Sequence, residues 1–261
     1  MADYVLIRKS RNVISSVLHV ILNILLGVGS IAITVVTGSW IIGFVLVVLS
    51  KWRVFAVRSR YLYTNILSNL VDFIVGASFV IIAYCSGTTF LPIHAVLAAG
   101  YTLWLVVIKP MSSSFAAEAQ SLIAVFLGST AATMLYASSN SVFLVIACYI
   151  IGFSASRHIL VQSDSDDNFG LTVITCGLLS AEIAWICSNW LIVYTFGSTG
   201  ILVPQLAIIL TITSFVSNRV FKNSIEHKGK IRFSEIAAPV IFSVLIVAII
   251  VIWFSNPIFD V

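Results

Sequence analysis

The sequence predicts an all-α polytopic integral membrane protein, and two observations carry that prediction. Of its 261 residues, 60% are hydrophobic and only 9% are charged, whereas an ordinary soluble domain has roughly 25% charged residues. Long apolar runs also recur along the chain, most of them close to the ~20 residues that a helix needs to cross a bilayer. We therefore expect a single transmembrane helical domain, residues 1–261, without a sizeable soluble part.

About nine apolar segments are predicted to be transmembrane helices. They cover residues 12–37, 39–57, 61–85, 91–108, 113–137, 141–161, 169–196, 201–217 and 233–254. The second segment is the weakest, because Lys51 and Arg53 leave only residues 40–49 as an uninterrupted apolar run, which is short for a perpendicular crossing. A thinned or tilted crossing with Lys51 at the interface is one interpretation, and a re-entrant hairpin is the alternative.

The basic residues predict the orientation. All fourteen Lys and Arg residues fall in stretches that lie on one side when the segments are threaded alternately through a bilayer. Short loops rich in Lys and Arg stay in the cytoplasm, so the N-terminus is expected to be cytoplasmic and the C-terminus outside. The expected location is the cell membrane, plasma or inner. Anionic lipid headgroups at the cytoplasmic face are the expected partners, and nucleic acid is not.

Polar residues inside the spans are the candidate functional residues. Asn65, Asn69 and Asp72 share one face of the third segment, and Glu182 and Asn189 share one face of the seventh, by the 3.6-residue helical period. A carboxylate near mid-bilayer costs ~2.5–3.5 kcal/mol on insertion scales and normally faces the bundle interior or a water-filled cavity. We therefore expect Asp72 and Glu182 to face the interior and to act in a substrate or ion pathway.

Two further residues are candidates for the same pathway. Glu118 lies on a polar face of the fifth segment, although it is near enough to the cytoplasmic end to sit simply at the interface. His19 in the first segment can partner one of the acids or be a satisfied core histidine. By contrast, the ninth segment is apolar all round from Ala237 to Trp253 and is expected to face lipid.

Motifs for catalysis or cofactor binding are missing from the sequence. It has no Walker A motif, dinucleotide fingerprint or H-E-x-x-H motif, so no cofactor or metal is expected and an enzyme is disfavoured. The cysteines lack C-x-x-C spacing and are interpreted as packing residues: Cys85, Cys148, Cys176 and Cys187. The acidic run Asp164, Asp166, Asp167 lacks the glycine and glutamate of a calcium loop, and helix capping explains it more simply.

Three classes of function remain open. The leading expectation is a proton- or cation-coupled transporter or channel for a small solute, in which a buried carboxyl exchanges a proton or binds a cation. The competing expectation is a non-catalytic membrane scaffold or assembly subunit, oligomeric or not, whose polar stripes specify helix packing. The third is a lipid-modifying enzyme using the acidic run. Asp72→Asn and Glu182→Gln are expected to preserve folding in either of the first two classes.

Overall fold

The computed structural model describes residues 2–136, 140–161, 169–195, 202–227 and 230–253, with side-chain detail from residue 15 onward. Within those ranges, six helices are long and apolar enough to cross a bilayer, and two further apolar helices are shorter. This confirms the helical membrane class. The number of crossings and the orientation stay predictions.

The ten α-helices follow the apolar segments closely. They are α1 Ala2–Thr37, α2 Trp40–Ser50, α3 Trp52–Phe55, α4 Ser59–Cys85, α5 Pro92–Leu103, α6 Ser114–Tyr136, α7 Ser141–Leu160, α8 Phe169–Cys187, α9 Gln205–Glu226 and α10 Phe233–Trp253. A π-helical turn, Trp104–Ile108, continues α5. Two short antiparallel strands, β1 Val193–Thr195 and β2 Leu202–Pro204, join α8 to α9.

Four predicted segments differ from the described helices, and the first of them begins at Ala2 rather than 12. The second segment is interrupted at Lys51, where α2 ends after 11 residues, or ~16 Å at 1.5 Å per residue. The seventh ends at Cys187 rather than 196, because the apolar run after it pairs as β1 with β2. The eighth begins at Gln205 and continues to Glu226 rather than 217. The eighth segment was predicted to end where charged residues follow the apolar run. Lys and Arg are good helix formers, so α9 continues through Arg219 and Lys222.

The helices pack around two hydrophobic clusters. The first lies between α1, α2, α4 and α5 and includes Val75, Val80 and Tyr101. The second lies between α6, α7, α8 and α9 and includes Leu144 and Leu206. Helix α6 contributes to both clusters, so it connects the two halves of the bundle. Helix α10 packs on α9 and is exposed over most of its surface, as expected of a lipid-facing helix.

Close approach of helices in the first cluster depends on Gly43. A Cβ placed there would lie 2.0 Å from Thr34 Oγ1, 2.9 Å from Val80 Cγ1 and 3.1 Å from the Ser30 carbonyl oxygen. The hydroxyl of Thr34 can rotate away, but the Ser30 carbonyl is part of α1 and cannot. Small residues at such crossings let helix backbones pack closely in membranes. Helix α2, although short, is therefore held tightly against α1 and α4.

Gly43→Ala is expected to destabilise the protein by about 1–3 kcal/mol, because the added methyl overpacks the α1–α2 contact. The matched control is Gly29→Ala in α1, where nothing lies within 4 Å of the new Cβ. Unfolding of both variants in detergent, followed by circular dichroism, measures the difference. Equal stability of the two variants would contradict the close packing of α2.

Candidate functional site

Asp72 lies at the centre of a buried ion cluster in the first half of the bundle. Its carboxylate forms ion pairs with Lys51 Nζ and, at 2.5 Å, with Lys109 Nζ. The indole Nε1–H of Trp104 donates to Asp72 Oδ1 at 3.0 Å, and Lys51 Nζ also donates to the Asp72 carbonyl oxygen at 3.3 Å. Lys51 and Asp72 are buried, whereas the Lys109 side chain is 42% exposed. One carboxylate thus ties together the ends of two helices and the middle of a third.

Two irregularities of the backbone bring these groups together. The break between α2 and α3 places Lys51 opposite the midpoint of α4, with its ammonium 5.3 Å from the ring centre of Phe73. In the π-turn the N–H of Lys109 donates to the Trp104 carbonyl at 2.8 Å. An α-helix would rotate these two residues about 140° apart around its axis, whereas the i→i+5 bond places them one above the other. Both side chains can therefore reach Asp72.

The Asp72 cluster carries a net charge of +1 when its three side chains are ionised. A carboxylate held by two ammonium groups and an indole N–H is stabilised in its charged form. Both of its oxygens contact these partners, whereas a proton carrier needs to exchange its proton with a solvent pathway. The Lys51 side chain is only 5% exposed and is directed to this carboxylate rather than to solvent. It turns inward because the buried carboxylate satisfies its charge better than apolar surroundings do.

Glu118 forms a second buried ion cluster in the other half of the bundle. Its carboxylate pairs with Lys222 Nζ and lies 3.9 Å from Arg219 Nε, both on α9. Only 7% of the Glu118 side chain is exposed, against 35% for Lys222 and 46% for Arg219. The cations thus come from the polar half of α9, beyond the predicted end at residue 217. Glu118 is an interhelical ion-pair partner within the described part of the bundle rather than a free interfacial acid.

Gln120 links the two halves of the bundle, a role that was not predicted from the sequence. Its side-chain amide donates to the carbonyl oxygens of Ile108, at 2.7 Å, and Met111, at 3.1 Å. Its Oε1 lies 2.8 Å from His158 Nε2 on α7. These carbonyls lie where the helix ends, after Ile108, and Gln120 bonds to both of them, while the Ile108 carbonyl also accepts the Met111 N–H at 3.2 Å. A glutamine next to an alanine-rich helix face carries no sequence signal for this role.

The predicted asparagines have structural contacts. Asn65 Nδ2 donates to the Val54 carbonyl at 2.8 Å and so fixes α3 against α4. Asn69 Nδ2 donates to the Asn65 carbonyl one turn earlier, also at 2.8 Å. Both side chains are half-buried. Asn65 and Asn69 thus stabilise the region around the break between α2 and α3. Their role in a substrate or ion pathway stays a prediction.

The expectation that Glu182 faces the interior of the described bundle is wrong, and a pathway role of Glu182, Asn189 and His19 stays a prediction. All three side chains are exposed on the outside of the bundle. Asn189 Nδ2 bonds to the carbonyls of Trp185, at 3.0 Å, and Ile186, at 3.2 Å, and so caps the end of α8. The cluster of Asp72 therefore includes neither His19 nor the second predicted acid.

The outward direction of Glu182 follows from the packing of α8 on α7. The buried face of α8 is formed by Val173, Gly177, Ala181 and Ala184. Small residues four apart allow two membrane helices to approach closely, and α8 comes so near to α7 that a Cβ on Gly152 would lie 2.1 Å from Ser180 Oγ. Thr175, Glu182 and Trp185 are left on exposed faces. The small residues, not the polar stripe, face the bundle.

The fold and these two clusters define a polytopic α-helical membrane protein with interhelical ion pairs. Comparison of the chain with protein-family models, with curated proteins and with solved structures finds no match. The acidic run at residues 164–167 lies outside the described residues.

Proposed function

We propose that the protein is a non-catalytic membrane assembly subunit that packs in the bilayer against another transmembrane helix. One observation carries this proposal, namely the polar groups on the exposed face of α8. Glu182 lies there with Trp185, whose side chain is 63% exposed. Glu182 is ~20 Å along the axis from Phe169 and ~7.5 Å from Cys187, at 1.5 Å per residue.

An outward-facing carboxylate at that position favours a partner. A carboxylate in contact with lipid costs ~2.5–3.5 kcal/mol at the centre of a membrane helix, and less nearer the helix end, where Glu182 lies. A second helix that offers a hydrogen-bond donor or a cation at the same depth would offset this cost, since polar side chains bond across helix interfaces in membranes. Trp185 and the exposed Leu178 flank Glu182 one turn away on either side. Together they provide the apolar contact area of an interface.

The buried acids support assembly more than coupled transport. Asp72 and Glu118 are each held by two cationic side chains, which favours fixed helix packing over exchange of a proton. Coupled transport of a small solute stays a prediction from the sequence. The proposal places the protein in the cell membrane, with its basic connectors against anionic headgroups.

Photo-crosslinking tests the proposed interface. A photoreactive amino acid at position 178 or 185, on either side of Glu182, is expected to give a crosslinked adduct of discrete mass in native membranes. The matched control is position 242 in α10, because Phe242 is 66% exposed on a stretch of that helix without charged residues. Glu182→Leu should lower the adduct yield at 185 without lowering the stability of the isolated chain.

Mass spectrometry of the adduct separates a second copy of the chain from a different membrane protein. Equal adduct yields at positions 185 and 242, or a yield unchanged by Glu182→Leu, would contradict the proposal. Flux of a small solute through proteoliposomes of the purified chain, abolished by Glu118→Gln, would favour transport instead.

A further inference from the structure

Three metal-ligating side chains meet where α9 gives way to α10. They are Glu226, His227 and Glu235, and one ligand atom from each lies within 4.8 Å of the others. The two glutamates are exposed and His227 is half-buried, so an ion could enter from solvent. We propose that this junction binds a divalent transition metal ion, with Zn²⁺ as the best-fitting class. The proposal is independent of the α8 interface.

Asn223 orients two of the three ligands from outside the triad. Its backbone carbonyl lies 3.0 Å from His227 Nδ1, and a carbonyl only accepts, so in the neutral ring Nδ1 carries the proton and Nε2 offers a lone pair. The Nδ2–H of Asn223 donates to Glu235 Oε2 at 2.7 Å, which leaves Oε1 as the free oxygen. Metal-binding histidines are normally fixed in this way through the second ring nitrogen.

Asn223 is itself held in place. It is buried, with 5% of its surface exposed, and its Oδ1 accepts a bond from the Arg232 backbone N–H at 2.8 Å. The asparagine thus uses its backbone carbonyl, its side-chain donor and its side-chain acceptor on three different partners. The two free ligand atoms are positioned before any ion binds, which reduces the entropy lost on binding.

The distance between these two atoms fits a tetrahedral ion. His227 Nε2 and Glu235 Oε1 are 3.4 Å apart, and two ligands ~2.0–2.1 Å from a tetrahedral Zn²⁺ are roughly 3.3–3.4 Å apart. An imidazole ligand favours Zn²⁺ and its first-row neighbours over Mg²⁺ and Ca²⁺, which prefer oxygen. Glu226 supplies the third ligand, and a water molecule can complete the tetrahedron.

Arg232 is the competitor of the ion. Its Nη1 lies 3.6 Å from Glu235 Oε1, and its side chain is 65% exposed. In the absence of an ion, the triad and Arg232 form a surface ion-pair network, which is worth little in stability. When an ion binds, the exposed guanidinium can move into solvent. Added zinc therefore distinguishes the two cases, because a metal site binds it and an ion-pair network does not.

Calorimetric titration of the full chain in detergent, purified without a histidine tag, tests the site. We expect one Zn²⁺ ion per chain and no saturable heat with Mg²⁺. His227→Gln and Glu235→Gln should abolish the site, and Glu235→Gln retains an oxygen acceptor for Asn223, so the junction stays folded. Asn223→Ala should weaken binding by roughly 10–100-fold, as loss of a group that orients ligands does. His19→Gln, an exposed histidine on another helix, is the control.

Cobalt(II) provides an independent measurement, because a tetrahedral cobalt site with nitrogen and oxygen ligands absorbs strongly in the visible. The band is expected in the unaltered chain and in His19→Gln, and not in His227→Gln. Zinc binding of equal affinity in the unaltered chain and in His227→Gln would overturn the proposal, as would saturable Mg²⁺ binding at the same residues. No heat with zinc would leave the residues as an ion-pair network and would also overturn it.

Discussion

Asp72→Leu is expected to destabilise the protein by about 3–5 kcal/mol, because it leaves buried Lys51 without a counter-charge. Lys109 can recover part of its solvation, since its side chain is 42% exposed. Lys51 cannot, because its side chain is only 5% exposed. Unfolding by a denaturing detergent, monitored by tryptophan fluorescence, measures the loss of stability.

A double variant separates the ion pair from the packing around it. Adding Lys51→Met to Asp72→Leu should restore much of the stability, because a buried pair replaced by apolar side chains of similar volume is often neutral. Lys109→Met alone should have a smaller effect. Asp72→Asn keeps an acceptor for Trp104 but removes the counter-charge of two lysines. It is therefore also expected to lower stability, whereas the sequence alone predicted that the amide preserves folding. Unchanged stability of Asp72→Leu would refute this account of the cluster.

The second cluster is expected to respond unequally to loss of its two cations. Lys222→Met should cost up to about 3 kcal/mol, because buried Glu118 loses its direct partner and keeps only Arg219 at 3.9 Å. Arg219→Met should cost less, about 1 kcal/mol or under, since an exposed ion pair contributes little. The same unfolding measurement compares them. An equal loss in the two variants, or a larger one for Arg219→Met, would show that the contacts of Glu118 are assigned incorrectly.

The sequence was sufficient for most helices because apolar length decides them. Each of the long spans coincides with a run of nonpolar residues, and hydrocarbon surroundings require every backbone group in it to be hydrogen-bonded within the segment. Predicted helix boundaries were wrong where an interaction other than apolar length determined where the helix ends. The run after Cys187 pairs as strands, and short apolar runs do not distinguish helix from strand. The weakness of the second segment at Lys51 was predicted, but the inward direction of the Lys51 side chain was not.

The candidate site was only partly predictable for two physical reasons. Asp72 and Glu118 were found because a charged residue inside an apolar run is visible in the sequence. Their partners were not, since Lys222 lies 104 positions from Glu118 and such contacts depend on tertiary packing. Glu182 failed for another reason. Helical periodicity shows which residues share a face but not where that face points, and in α8 the small residues decided it.

The interruption at Lys51 has a consequence for how the chain is made. A translocon recognises segments one at a time as they leave the ribosome, and α2 offers it a helix of only 11 residues, the last of them a serine, followed by a lysine. Such a segment is a poor insertion signal by itself. The counter-charge of Lys51 is synthesised 21 residues later, within α4. We therefore expect α2 to remain near the translocon until α4 arrives, so that the two helices insert as a pair.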